Sequence, residues 1–268
     1  MAMLVLVLLT GLGNPLPGMA EPLKPAVTTA DPQPPKQLQQ KALDALNRGN
    51  LQDAEAAWTR LIEQMPGNPA NWSNRGNVRA GLNQLDAAIA DYDRAIELAP
   101  EQPDAYLNRG AALEAQHHWQ AAIADYNRVL QLNPSNAAAF NNRGNAQAGQ
   151  RNWQAALTDY QTATQLNTNF AAARANYALV QYQLDDTTAA IRTLRNLTRR
   201  YPQFADARAA LAAALWAEGQ QGEAESHWVA VMGLDRRYQD LDWVRQVRRW
   251  PPKVADALAA FLQLESPA

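Results

Sequence analysis

A 34-residue period begins at Pro35 and runs six times in one register to Tyr238, and this constrains the fold more than any other feature of the chain. The repeats start at Pro35, Pro69, Pro103, Ala137, Ala171 and Ala205. Their eighth position is always small: Ala42, Gly76, Gly110, Gly144, Ala178 and Ala212. The twentieth is alanine throughout, at Ala54, Ala88, Ala122, Ala156, Ala190 and Ala224. The twenty-fourth is large: Trp58, Tyr92, Tyr126, Tyr160, Leu194 and Trp228. Two helices of about a dozen residues approach closely only where small side chains meet bulky ones. A unit this short cannot bury its own apolar face and must stack on its neighbour, which predicts an all-α array of helix pairs. Pro66, Pro100, Pro134 and Pro202 stop the second helices, while Pro35, Pro69 and Pro103 suit the first turn of the next, where a missing N–H costs nothing. Asn68 is placed to cap the helix that begins at Pro69. An unbroken phase predicts one elongated domain rather than two compact ones.

These columns resemble the tetratricopeptide repeat (TPR) family. The resemblance implies a right-handed α-solenoid of six TPR helix pairs, 35–68, 69–102, 103–136, 137–170, 171–204 and 205–238, followed by C-terminal capping helices within 239–268. It also implies a protein-binding scaffold whose partner lies in a concave groove. An exported sequence with Asn-Arg-Gly repeats and the Arg248-Arg249-Trp250-Pro251-Pro252 segment is similar to TPR proteins of cyanobacteria and the chloroplast lumen, which suggests help in assembling a membrane complex.

Charge and composition narrow the function classes. The net charge of −2 leaves no basic stripe for a nucleic-acid backbone. With no cysteine there is no disulfide, thiolate metal site or cysteine nucleophile. His117 and His118 are adjacent in a turn, His227 neighbours the packing residue Trp228, and Asp185-Asp186 lies in another turn, so none of them makes a metal set. Phosphate loops, nucleophile elbows and zinc-protease motifs are absent. The expectation is a non-enzymatic chain without cofactor or metal. The alternatives are an accessory module of an enzyme complex and a cytoplasmic interaction module.

Residues 1–20 read as an export signal, with an apolar run from Leu4 to Leu12 and Gly18-Met19-Ala20 resembling a signal-peptidase site, although no Lys or Arg precedes the run. The run is too short to span a bilayer. Periplasm or thylakoid lumen is expected, with any membrane contact peripheral. Residues 21–34, with Pro22, Pro25, Pro32 and Pro34, read as an extended linker.

Two columns stand out for binding. Arg75, Arg109 and Arg143 each precede an aspartate by sixteen residues, at Asp91, Asp125 and Asp159, and the two types vanish together in the other repeats. That co-occurrence predicts structural ion pairs. Asparagine holds the sixth position in four consecutive repeats, at Asn74, Asn108, Asn142 and Asn176, and TPR resemblance places that position on the groove. Asparagine is a mediocre helix former, and its amide both donates and accepts, so the column fits main-chain contacts to an extended protein segment. Asn77 and Asn145, three residues on from Asn74 and Asn142, share the face. A solvated polar face or hydrogen bonding between repeats is the alternative. The basic residues with which related modules clamp acidic chaperone tails are missing, the second position reading Lys36, Ala70, Asp104, Ala138, Ala172 and Asp206.

Beyond the repeats, Val244, Val247, Leu258, Phe261 and Leu262 are placed to cover the last repeat's apolar face. Arg236, Arg237, Arg245, Arg248, Arg249 and Lys253 form a candidate basic patch for an acidic partner or lipid headgroups, the alternative being a solvated cap with arginine stacked on Trp250.

Overall fold

The computed structural model describes residues 33–265, so the expected export signal and nearly all of the linker lie outside the described residues. The described chain is helical: α1 (Pro35–Asn47), α2 (Leu51–Gln64), α3 (Pro69–Gly81), α4 (Leu85–Leu98), α5 (Pro103–Ala115), α6 (Trp119–Leu132), α7 (Ala137–Gly149), α8 (Trp153–Leu166), α9 (Ala171–Gln183), α10 (Thr187–Arg200), α11 (Ala205–Ala217), α12 (Gln221–Leu234) and α13 (Pro252–Glu265). A 3-10 turn at Arg236–Gln239 and a π-helical turn at Trp243–Val247 precede α13. Every odd-numbered helix through α11 starts on the first residue of a repeat, as the period predicts. The Asn68 side chain accepts from the Ala70 N–H at 3.0 Å, which confirms the cap.

The chain falls into two compact units, the first ending at Ala112 and the second starting at Leu113, inside α5. A repeat touches only its neighbours, so an unbroken phase reports a continuous array and says nothing about compactness.

Within each unit the small and large columns meet. A Cβ added to Gly76 would lie 2.6 Å from the Tyr92 ring, and one added to Gly144 would lie 2.8 Å from that of Tyr160. The fourth position has a second task. Trp72 Nε1 donates to the Pro66 carbonyl at 2.8 Å and the Tyr106 hydroxyl to that of Pro100 at 3.3 Å, while Arg174 and Arg208 reach Thr168 and Pro202 at 3.0 and 2.7 Å. Repeats two, three, five and six thus each place a donor on the turn before them, which Phe140 at the same position of repeat four cannot do. The turn inside each repeat needs a left-handed residue at position fifteen, with φ of 72° at Gly49, 60° at Asn83, 62° at His117, 63° at Arg151, 69° at Asp185 and 75° at Gly219.

Candidate protein-binding face

The arginine column is structural. Arg75 binds Asp91 through two bonds of 2.9 and 2.7 Å, and Arg143 binds Asp159 at 2.8 and 2.6 Å, with both aspartates buried. The remaining guanidinium nitrogen reaches back to position twenty-five of the preceding repeat, to Thr59 at 3.2 Å from Arg75 and to Asn127 at 2.7 Å from Arg143. Arg109 makes the same backward contact, to Asp93 at 2.6 Å. One arginine thus ties both its own helix pair and the pair before it.

The asparagines divide into two groups. Asn77 Oδ1 accepts from the Tyr92 hydroxyl and from Asn108 Nδ2, both at 2.9 Å. Asn145 Oδ1 accepts from Tyr160 at 2.9 Å and from Asn176 Nδ2 at 3.2 Å, and Asn176 also reaches Asn141 at 3.2 Å. For Asn77, Asn108, Asn145 and Asn176 the bonding between repeats that the sequence left open as an alternative is present. Asn74 and Asn142 differ, because the ninth positions before them hold Leu43 and Ala111, which offer no side-chain acceptor. Asn142 Oδ1 accepts from its neighbour Asn141 at 3.2 Å, and among the described residues its own amide N–H groups and the whole amide of Asn74 have no partner. Both residues are half-buried.

On repeats five and six the same face is different. Positions five, nine and twelve are Ala175, Leu179 and Tyr182 on α9 and Ala209, Ala213 and Trp216 on α11, where α7 carries Asn141, Asn145 and Ala148. The C-terminal helix covers this apolar strip: α13 packs on α11 and α9. Val254, Ala255, Leu258 and Phe261 are buried there, and the Phe261 ring meets Trp216 and Trp228 edge-on at 5.0 and 5.3 Å. Leu258 and Phe261 thus cover the last repeat's apolar face at α11, and α13 reaches on to α9 because the apolar strip continues there. Val244 is buried in the same cluster, whereas Val247 is 44% exposed.

Charge holds the tail in place. Buried Asp206 accepts from the Tyr238 hydroxyl at 2.7 Å, Trp250 Nε1 at 3.0 Å and Arg248 Nε at 3.1 Å, and Arg248 Nη2 lies 2.8 Å from its other oxygen. This carboxylate holds Arg248 more firmly protonated, and burial beside it pushes the Tyr238 hydroxyl well up. Arg249 reaches Glu114 at 3.3 Å and lies over the Trp119 ring, while Tyr126 donates to Glu114 at 3.0 Å. Burial pushes the Glu114 carboxyl up to about 7, against the pull of Arg249 and the Tyr126 bond. Arg237 pairs with Asp235 and Arg245 with Asp256, at 2.8 and 3.0 Å, and Lys253 pairs with Asp185. The basic patch read from the sequence is therefore largely neutralised inside the molecule. Of its six residues Arg236 alone makes no ion pair among the described residues. Stacking is on Trp119 and Trp243, by Arg249 and Arg237, rather than on Trp250.

Among the described residues no helix is long and apolar enough to cross a membrane, and no three metal-ligating side chains cluster. A family model described as TPR repeat matches residues 76–117, and models described as tetratricopeptide repeat match 103–136, 141–194 and 176–231, together more than half of the chain. The chain is a TPR protein. TPR repeats generally mediate protein–protein interaction and are generally non-catalytic. No curated protein matches the sequence. Among solved structures, a TPR protein from Parabacteroides merdae aligns with a TM-score of 0.66 at 18% identity, over 86% of this chain and 98% of that one. PilF of Pseudomonas aeruginosa aligns at 0.65 and 16% identity, over 84% and 97%. YrrB, described as a TPR protein with an unusual peptide-binding site, aligns at 0.53 and 22% identity, over 67% and 92%. At these identities the likeness is one of fold.

Proposed function

We propose that this TPR protein is a non-enzymatic scaffold that holds an extended segment of another protein on the first-helix face of its repeats. The observation that carries the reading is α13 itself: on α9 and α11 that face already holds a length of polypeptide. On α3 and α7 it is polar and half-buried, no helix among the described residues covers it as α13 does, and the spare amides of Asn74 and Asn142 suit a peptide main chain whatever its side chains. The peptide-binding description of YrrB is in keeping with this use of the fold.

A photo-crosslinking residue at position 142 should capture the partner through a short continuous stretch, while one at exposed Gln154 should not. Equal capture from both positions would sink the reading. Changing Asn74 and Asn142 to alanine should weaken the captured partner roughly tenfold or more, since several net hydrogen bonds of about 0.5 to 1.5 kcal/mol go.

The N-terminal pattern supports an exported setting, with a mature chain starting at or near Glu21, and the resemblance to lumenal TPR proteins suggests a role in assembling a membrane complex. N-terminal sequencing of the native protein tests this, and an intact Met1 on a cytosolic chain would move the scaffold to the cytoplasm.

A further inference from the structure

Beside the face just described is a cleft that neither the period nor the repeat fold requires. It encloses about 480 Å³ between the turns ending α5 and α7 and the strap that leads into α13, and its lining includes His117, Trp119, Arg151, Trp153, Arg245 and Arg249. Two aromatic walls and three arginines make an electropositive, partly apolar pocket. Arg249 is engaged by Glu114, and Arg245 by Asp256 in an exposed pair that water and salt weaken. The Arg151 side chain makes no hydrogen bond or ion pair among the described residues.

The backbone marks the same place independently. Position fifteen must be left-handed, and the first and sixth repeats fill it with Gly49 and Gly219. Repeats two and five use Asn83 and Asp185, types that tolerate this conformation. Repeat three carries His117, another type found in this conformation, but repeat four carries Arg151, for which it is strained, and both line the cleft. Gly149 completes the floor, since a Cβ there would stand 2.8 Å from the Trp119 ring. The cleft begins where the asparagine face of α7 ends: Gly149 lies seven residues, about two helical turns, beyond Asn142.

We propose that this cleft is a binding site for an acidic polypeptide segment, seating a carboxylate on Arg151 and Arg245 with an adjacent aromatic side chain against Trp153. The inference deepens the proposed function and rests on it, because the segment continues from the face of α7. Arginine is suited to the task by its planar fork and permanent charge.

The test uses Arg151→Gly, which relieves the left-handed strain and so should leave the protein at least as stable as wild type. Full-length labelled protein is applied to an array of random synthetic twelve-residue peptides, and the best binder is titrated by fluorescence anisotropy. The bound set should be enriched in Asp or Glu next to Phe, Tyr or Trp, and Arg151→Gly should weaken the best binder tenfold or more. Enrichment of basic or uncharged peptides, no bound peptide, or an affinity unchanged by Arg151→Gly would overturn the proposal. So would binding to phosphatidylglycerol vesicles that Arg151→Gly abolishes while peptide binding persists, since that assigns the cleft to lipid. If the alanine changes at Asn74 and Asn142 abolish binding and Arg151→Gly does not, the scaffold reading stands and the cleft fails. The reverse pattern keeps the cleft and removes the asparagine contacts.

Discussion

The first helices of repeats two and four finish their faces with asparagine, and those of repeats five and six finish theirs with alanine, leucine and aromatics. One 34-residue template supports both, because the columns that pack a helix pair, positions eight, twenty and twenty-four, leave positions five, six, nine and twelve at liberty. The polar version can stay wetted. An apolar version must be covered, and here α13 supplies the cover from the same chain. The difference separates a surface available to a partner from a surface already in use.

The largest effect that would break this comparison is expected at Phe261. Its change to alanine leaves a cavity between Trp216 and Trp228 and should cost about 3 to 5 kcal/mol in denaturant unfolding. A loss below about 1 kcal/mol would mean that α13 is only loosely applied. Next comes Asp206→Ala, which strands Arg248, Trp250 and Tyr238 without their shared acceptor and should cost about 3 kcal/mol. Within the asparagines, Asn145→Ala removes the acceptor of buried Tyr160 and should cost about 1 to 3 kcal/mol, and Asn74→Ala should change stability by less than about 0.5 kcal/mol. Equal effects at those two positions would erase the division between structural and spare asparagines.

A smaller effect is expected with pH. The folded-state carboxyl of Glu114 is raised from 4.5 to about 7, so the native state binds the proton more readily than the unfolded chain. Stability should therefore rise as pH falls through 7, by about 1 kcal/mol between pH 8 and 6, and level off near the unfolded value. Glu114→Gln should flatten that dependence. A curve identical to wild type would mean that Arg249 and Tyr126 hold the charged form better than burial opposes it.

Helix order, register and the packed columns were legible because they recur: six copies of the alanine at position twenty and of the bulky residue at position twenty-four leave little choice of phase. The pairing of Arg75 with Asp91 and of Arg143 with Asp159 was legible for the same reason. The tail was not. Arg248 meets Asp206 and Arg249 meets Glu114 across 42 and 135 residues, and a contact made once has no period to reveal it. The signal that pointed to it was compositional, since Leu179 and Ala213 stand where repeats two and four have Asn77 and Asn145, and bulky Tyr182 and Trp216 where they have Ala80 and Ala148. The cleft depended on that fold-back and was equally hidden, although Arg151 at a position filled elsewhere by Gly, Asn, Asp and His is an irregularity visible in the repeats.

The fold-back of α13 also sets an order on synthesis. A helix pair such as α1 and α2 can close as soon as both have left the ribosome, because its contacts are local. The strip on α9 and α11 has to wait, since its cover is encoded after α12 and the intervening turns. During that interval Leu179, Tyr182 and Trp216 face solvent or whatever holds the nascent chain, and the second unit completes its core only once α13 has emerged.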